Sequence, residues 1–147
     1  THLLGLLKAE QSKLADEHDK YVPLVVKVAP DLDDLELRKI SEILLTQKID
    51  GIIATNTTLS RSGVEGLPHS SEDGGLSGAP LRERAIEVLL ALNKYVEGNI
   101  PLIASGGIMD ADDAVARIKA GASLVQLYSG LIYRGPRIVK EIARRLS

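Results

Sequence analysis

Four clusters able to do chemistry stand along the 147 residues, each where an apolar run stops: Lys27, Thr55-Asn56-Thr57, Gly106-Gly107 and Ser129-Gly130. Gly106-Gly107 follows the short run 103–105. Without Cβ atoms, two successive amides there can turn toward a bound anion. Ser129-Gly130 ends the run 123–128 in the same manner. Two strand ends with small residues, each opening a helix, form the phosphate cradle that parallel βα barrels place after their last two strands. Either turn alone reads as a tight turn, and the pair at this spacing reads as phosphate binding. Lys27 interrupts an apolar run at 22–29, where a buried ammonium needs an anion, a carbonyl or a cofactor ring. The bland alternative is a lysine reaching past the strand end to solvent. Thr55, Asn56 and Thr57 offer hydroxyl and amide groups suited to a small planar polar ligand, or else form a turn in which Asn56 caps backbone groups.

The elements that must position these groups follow from periodicity. Residues 1–19 read as an amphipathic helix with Leu3, Leu4, Leu7 and Leu14 on one side, and their abrupt start suggests a chain cut from something longer. The run 22–29 reads as a parallel strand buried on both faces, ended by Pro30. Asp33 with Glu36 opens a helix to about residue 47, carrying Leu37, Ile40 and Leu44. A strand at 49–55 follows. Residues 60–78 have no apolar period, and a loop of that length is a lid or binding loop, or disordered. Pro80 suits the first turn of a helix running to about Val96, with Ile86, Leu89 and Leu90 inward. Asp110 caps the next helix, with Asp113 as in a capping box, Ala114, Val115 and Ile118 as its apolar face and Gly121 as its stop. After Gly135-Pro136 a last helix packs Ile138, Ile142 and Leu146.

Strand alternating with helix four times predicts a parallel α/β sheet. A complete (βα)8 TIM barrel takes about 250 residues, so four units make half of one. The runner-up is a small open doubly wound sheet, weakened because no GxGxxG follows the first strand.

Composition narrows the function classes. With 44% hydrophobic residues and a formal net charge of −2, the chain reads as soluble and globular, without a basic footprint for nucleic acid. Cysteine is absent, which removes disulfides, thiolate nucleophiles and thiolate metal sites. His2, His18 and His69 share no ligand spacing, and the acidic pairs fall at helix starts, so no metal site is expected. No Ser-His-Asp arrangement can be argued. No apolar run approaches the roughly 18 residues of a membrane span, and nothing resembles a signal peptide.

With these residues placed, the chain resembles the C-terminal half of class 2 dihydroorotate dehydrogenase, the quinone-linked flavoenzyme of pyrimidine synthesis, of bacterial type. The carriers are VVKVAPDL at 25–32, DGIIATNTT at 50–58, GGLSGAPL at 74–81, SGGI at 105–108 and GASLVQLYSGLIYRGP at 121–136. GGLSG and LYSGLIY look like class 2 rather than the soluble class 1 enzymes. The resemblance implies a (βα)8 barrel with FMN over the C-terminal strand ends. It assigns Lys27, Thr55, Gly78, Gly107, Tyr128 and Ser129 to FMN, with Lys27 stabilising the reduced, anionic ring. It assigns Asn56 and Thr57 to dihydroorotate or orotate.

The family's serine base, first FMN loop, further substrate residues and the N-terminal helices that meet membrane and quinone would all precede Thr1. The resemblance therefore implies no catalytic residue in this chain, and one FMN-binding barrel domain of which residues 1–147 are the C-terminal half. It implies a parent enzyme peripheral to the cytoplasmic face of the inner membrane, with the piece itself soluble and with substrate, quinone and the missing half or a second copy as partners. Two other readings compete: a half-barrel enzyme or scaffold for some other phosphate ligand, and a non-enzymatic unit that pairs to bury its open sheet edge.

Overall fold

The computed structural model describes residues 2–147, so the helix start expected at Thr1 lies outside the described residues. Among these residues six α-helices, α1 (His2–His18), α2 (Asp34–Thr46), α3 (Arg82–Val96), α4 (Ala111–Lys119), α5 (Ser129–Arg134) and α6 (Arg137–Leu146), accompany four strands. These are β1 (Val25–Val28), β2 (Gly51–Ala54), β3 (Leu102–Ser105) and β4 (Leu124–Gln126), all parallel in the order β1-β2-β3-β4. A doubly wound sheet reverses its strand order and carries helices on both faces. Here the order never reverses. α2, α3 and α4 contribute to one apolar cluster with Val28, Ile52, Ala54, Leu102 and Ala104. The winding is that of a barrel wall, and the doubly wound alternative is excluded.

Local signals place the helix ends. Asp33 accepts from the Glu36 amide while the Glu36 carboxylate accepts from the Asp33 amide, the reciprocal cap expected. At α4 the cap is only half of this: Asp110 accepts from the Asp113 amide, but the Asp113 carboxylate accepts from the Met109 amide at 2.9 Å and pairs with Arg82. Pro80 lies in a single 3₁₀ turn, Ala79–Leu81, that leads into α3. Leu89, Leu92 and Val96 of α3 are buried against Leu37 and Leu44 of α2 and the sheet, each full leucine burial stabilising by about 1.5–3 kcal/mol. A second cluster, Ile108, Ala114, Ile138 and Ile142, joins α4 to α6.

Several inward assignments need correction. The run 22–29 is not buried on both faces: β1 is an edge strand, Val22 is exposed and only the side carrying Val26 and Val28 meets the core. Leu90 and Leu146 are exposed, because three or four apolar residues per two turns suffice to cover the sheet and these two fall outside that stripe. Residues alternating with the core positions, Val25, Lys27, Ile53, Ile103 and Leu124, share the sheet's other face by register, and Leu124 is 60% exposed there.

Helix α1 buries no residue. Leu3, Leu7 and Leu14 are exposed and only Leu4 packs on the main core. Polar groups hold it instead. Gln11 Nε2 donates to the Val22 carbonyl at 2.7 Å and to Asp50 at 2.9 Å, and Asp50 also accepts from the Leu24 amide and the Tyr21 hydroxyl. Partial burial pushes the Asp50 pKa up, but the hydrogen bonds from Tyr21, Gln11 and Leu24 and the charge of Lys8 outweigh it and hold the carboxyl at about 2. A depressed pKa gives stability that is present above the unfolded value near 4 and lost as pH falls through about 2. With solvent screening this is worth about 1 kcal/mol. Acid titration followed by hydrogen exchange should therefore show the α1 amides losing protection between those values before the sheet does, and Asp50→Asn should abolish that early step.

Candidate anion and cofactor site at the strand ends

The C-terminal ends of β1, β2 and β3 are laced together by the chain that leaves β2. The Asn56 amide donates to the Val28 carbonyl at 2.8 Å, joining β1 to the exit of β2, and the Thr55 amide donates to the Ser105 carbonyl at 2.6 Å, joining that exit to β3. Thr55 is 1% exposed, its hydroxyl turned to the Asn56 carbonyl, whereas Asn56 and Thr57 are exposed. One cavity of about 330 Å³ opens over these ends. It gathers Lys27, Thr55, Asn56, Thr57, Gly78, Gly107, Tyr128 and Ser129, so every residue singled out from the sequence borders one space.

Two properties of that space are chemical. Lys27 is the charged residue of its lining, and no described lining residue is acidic. The amides of Gly106, Gly107, Ser129 and Gly130 donate to no other group among the described residues. Convergent free donors beside one cation suit an anion. Lys27 itself departs from expectation. It is exposed, because its face of the edge strand is uncovered, so the premise of a buried ammonium fails while its place at the cavity holds.

The long loop has more order than its composition suggested. Thr58 and Leu76 exchange two backbone hydrogen bonds, at 3.0 and 2.8 Å, closing its base. Asp31 accepts from the Thr58 hydroxyl and from the Leu59 amide. Arg61 ties its interior by donating to the carbonyls of Glu72 and Gly74 at 2.7 and 2.8 Å. Beyond the base, the Ser77 and Ser129 hydroxyls meet at 3.0 Å, so the loop touches the start of α5. Arg61→Ala should leave the unfolding midpoint nearly unchanged, within about 0.5 kcal/mol, as for an exposed surface residue. Limited proteolysis within 61–74 should nonetheless become several-fold faster. Unchanged cleavage would show that the Thr58–Leu76 pair alone holds the loop.

Sequence reasoning missed Arg117, which is 2% exposed on α4. Its Nη2 donates to the Arg82 carbonyl at 2.7 Å and the Gly106 carbonyl at 3.1 Å. Burial lowers its pKa, opposed by the charges of Asp113 and Glu83. The available signal was its place three residues after Ala114, within the stripe assigned to the core.

Residues 3–147 match the family model described as Dihydroorotate dehydrogenase. The chain belongs to the dihydroorotate dehydrogenase family. It is 58% identical over 144 residues to the dihydroorotate dehydrogenase (quinone) of Nitrosospira multiformis, covering 98% of this chain and 41% of that protein. The enzyme of the same name from Chromobacterium violaceum is 58% identical over 142 residues, with 97% and 41% covered. Among solved structures, that of the Eimeria tenella dihydroorotate dehydrogenase in complex with ferulenol superposes with a TM-score of 0.82 at 42% identity, over 86% of this chain and 34% of that one. The likeness is thus to the quinone-linked class, a TIM-barrel family. The chain spans about two-fifths of the length of the curated relatives it matches.

Proposed function

We propose that residues 1–147 are the C-terminal half of a single FMN-binding (βα)8 barrel domain that oxidises (S)-dihydroorotate to orotate in pyrimidine synthesis, with a quinone as final acceptor. The remaining barrel half and membrane-associating helices lie outside this chain in that reading. The observation that carries it is the cavity at the parallel strand ends, lined by one cation, free amides and hydroxyls and by no described acid.

These residues fit FMN. Gly107, Tyr128 and Ser129 would hold its phosphate, as the free amides and the Ser129 hydroxyl permit. Thr55 and Gly78, which line the same cavity, would contact the cofactor, and Lys27 would set a positive charge beside its ring. Bound there, the flavin supplies the acceptor for the hydride that leaves C6 of dihydroorotate. Asn56 and Thr57, exposed to the cavity, orient the substrate's polar edge by hydrogen bonds. The base that takes the C5 proton comes from the other barrel half, and this chain contributes binding and orientation. No described helix is long and apolar enough to cross a membrane. In this reading the whole enzyme attaches peripherally to the cytoplasmic face of the inner membrane through the other part.

Two assays test this reading. The full-length protein carrying this chain should co-elute with flavin, and anaerobic dihydroorotate should bleach the flavin band until a quinone restores it. A full-length protein that takes up no flavin would refute the proposal and favour a scaffold for another phosphate ligand. The 147 residues alone should show no dihydroorotate-dependent dye reduction, and measurable turnover by the pure chain would place a base within it.

A further inference from the structure

We infer that Arg117 is a positioning residue for the anion cradle, acting through the Gly106–Gly107 peptide to aim the Gly107 amide at the ligand's phosphate. The inference rests on the phosphate reading of that turn. A peptide group is planar, and in its trans form the carbonyl and the N–H point in opposite directions. The Gly106 carbonyl and the Gly107 amide belong to one such group, so a donor that fixes the first fixes the second. Arg117 Nη2 is that donor, at 3.1 Å, from a guanidinium almost wholly shielded from water. The amide on the other side donates to no described group, and Gly107 borders the cavity.

General electrostatics and two further observations fit this role. A cationic donor on a carbonyl polarises the peptide and strengthens its N–H as a donor, more so at low local dielectric. The turn has no slack: a Cβ on Gly107 would lie 2.3 Å from Arg82 Cα, so the turn sits on the start of α3, and Arg117 also holds the Arg82 carbonyl there at 2.7 Å. The Arg82 side chain is paired with Asp113 at 2.9 Å, which leaves Arg117 committed to carbonyls. A buried guanidinium is an expensive way to staple a helix, since its desolvation offsets much of what its hydrogen bonds return.

The experiment compares FMN with riboflavin, which lacks the phosphate, by fluorescence titration of the full-length apoprotein. Wild type should prefer FMN, and equal affinities would sink the phosphate reading itself. In Arg117→Met the FMN affinity should fall about tenfold while riboflavin affinity stays within about twofold, the size of one charge-assisted hydrogen bond. Arg117→Lys, which keeps a cationic donor, should restore most of the preference. A wild-type preference in Arg117→Met, or equal losses for both flavins, overturns the inference. If that variant does not fold, wild-type protein still decides. The Gly107 amide resonance should move downfield with FMN and not with riboflavin, and an identical response to both overturns the inference.

Discussion

Gly107→Ala is expected to leave the full-length protein without bound flavin. Gly107 has φ +69°, and an added Cβ would lie 2.3 Å from Arg82 Cα and 2.5 Å from Arg82 N. Both are backbone atoms at the start of a helix packed on the core, so nothing flexible can give way. The left-handed backbone costs about 1–2 kcal/mol for a residue with a side chain, and overpacking adds about 1–3 kcal/mol. The turn must therefore shift away from α3, and the Gly107 amide shifts with it. Gly98 separates the two contributions, having φ +77° and open space around an added Cβ. Gly98→Ala should cost only about 1 kcal/mol and keep flavin. Urea midpoints and the flavin-to-protein absorbance ratio of both variants check this. Gly107→Ala with full flavin content would mean the cradle lies elsewhere.

Lys27→Met should keep FMN yet lower turnover by about two orders of magnitude, the usual loss when a donor that stabilises developing charge is removed. Lys27 is exposed toward the cavity on the open face of β1, in register with Ile53, and has no ion pair among the described residues. Its charge is available to a ligand. The methionine fills similar volume, so binding carried by the cradle and by Thr55 should survive. Steady-state assays of the full-length enzyme should show kcat falling with little change in KM for dihydroorotate, and the midpoint potential of the bound flavin should move negative. An unchanged kcat with a raised KM would assign the lysine to substrate rather than to the ring.

Much of this protein was legible in order along the chain. Period and punctuation determined four βα units, since Asp33, Asp110, Gly121 and Pro80 act on their own neighbours. The cavity was legible for a related reason: in parallel βα units every strand exit lies at the same end, so residues flagged one by one at four exits must converge. What depended on distant partners was not. The exposure of Lys27, Leu90 and Leu146 follows from which elements cover which face, and periodicity records only that a face exists. The Asp113 carboxylate, turned to the Met109 amide and to Arg82, 31 positions away in sequence (113 − 82), adds a tertiary ion pair to a local cap that Asp110 still makes. Arg117 marks the limit most clearly. Its guanidinium matters through two carbonyls, 35 and 11 residues away in sequence, that only the packing of α4 beneath the Gly106-Gly107 turn brings within reach.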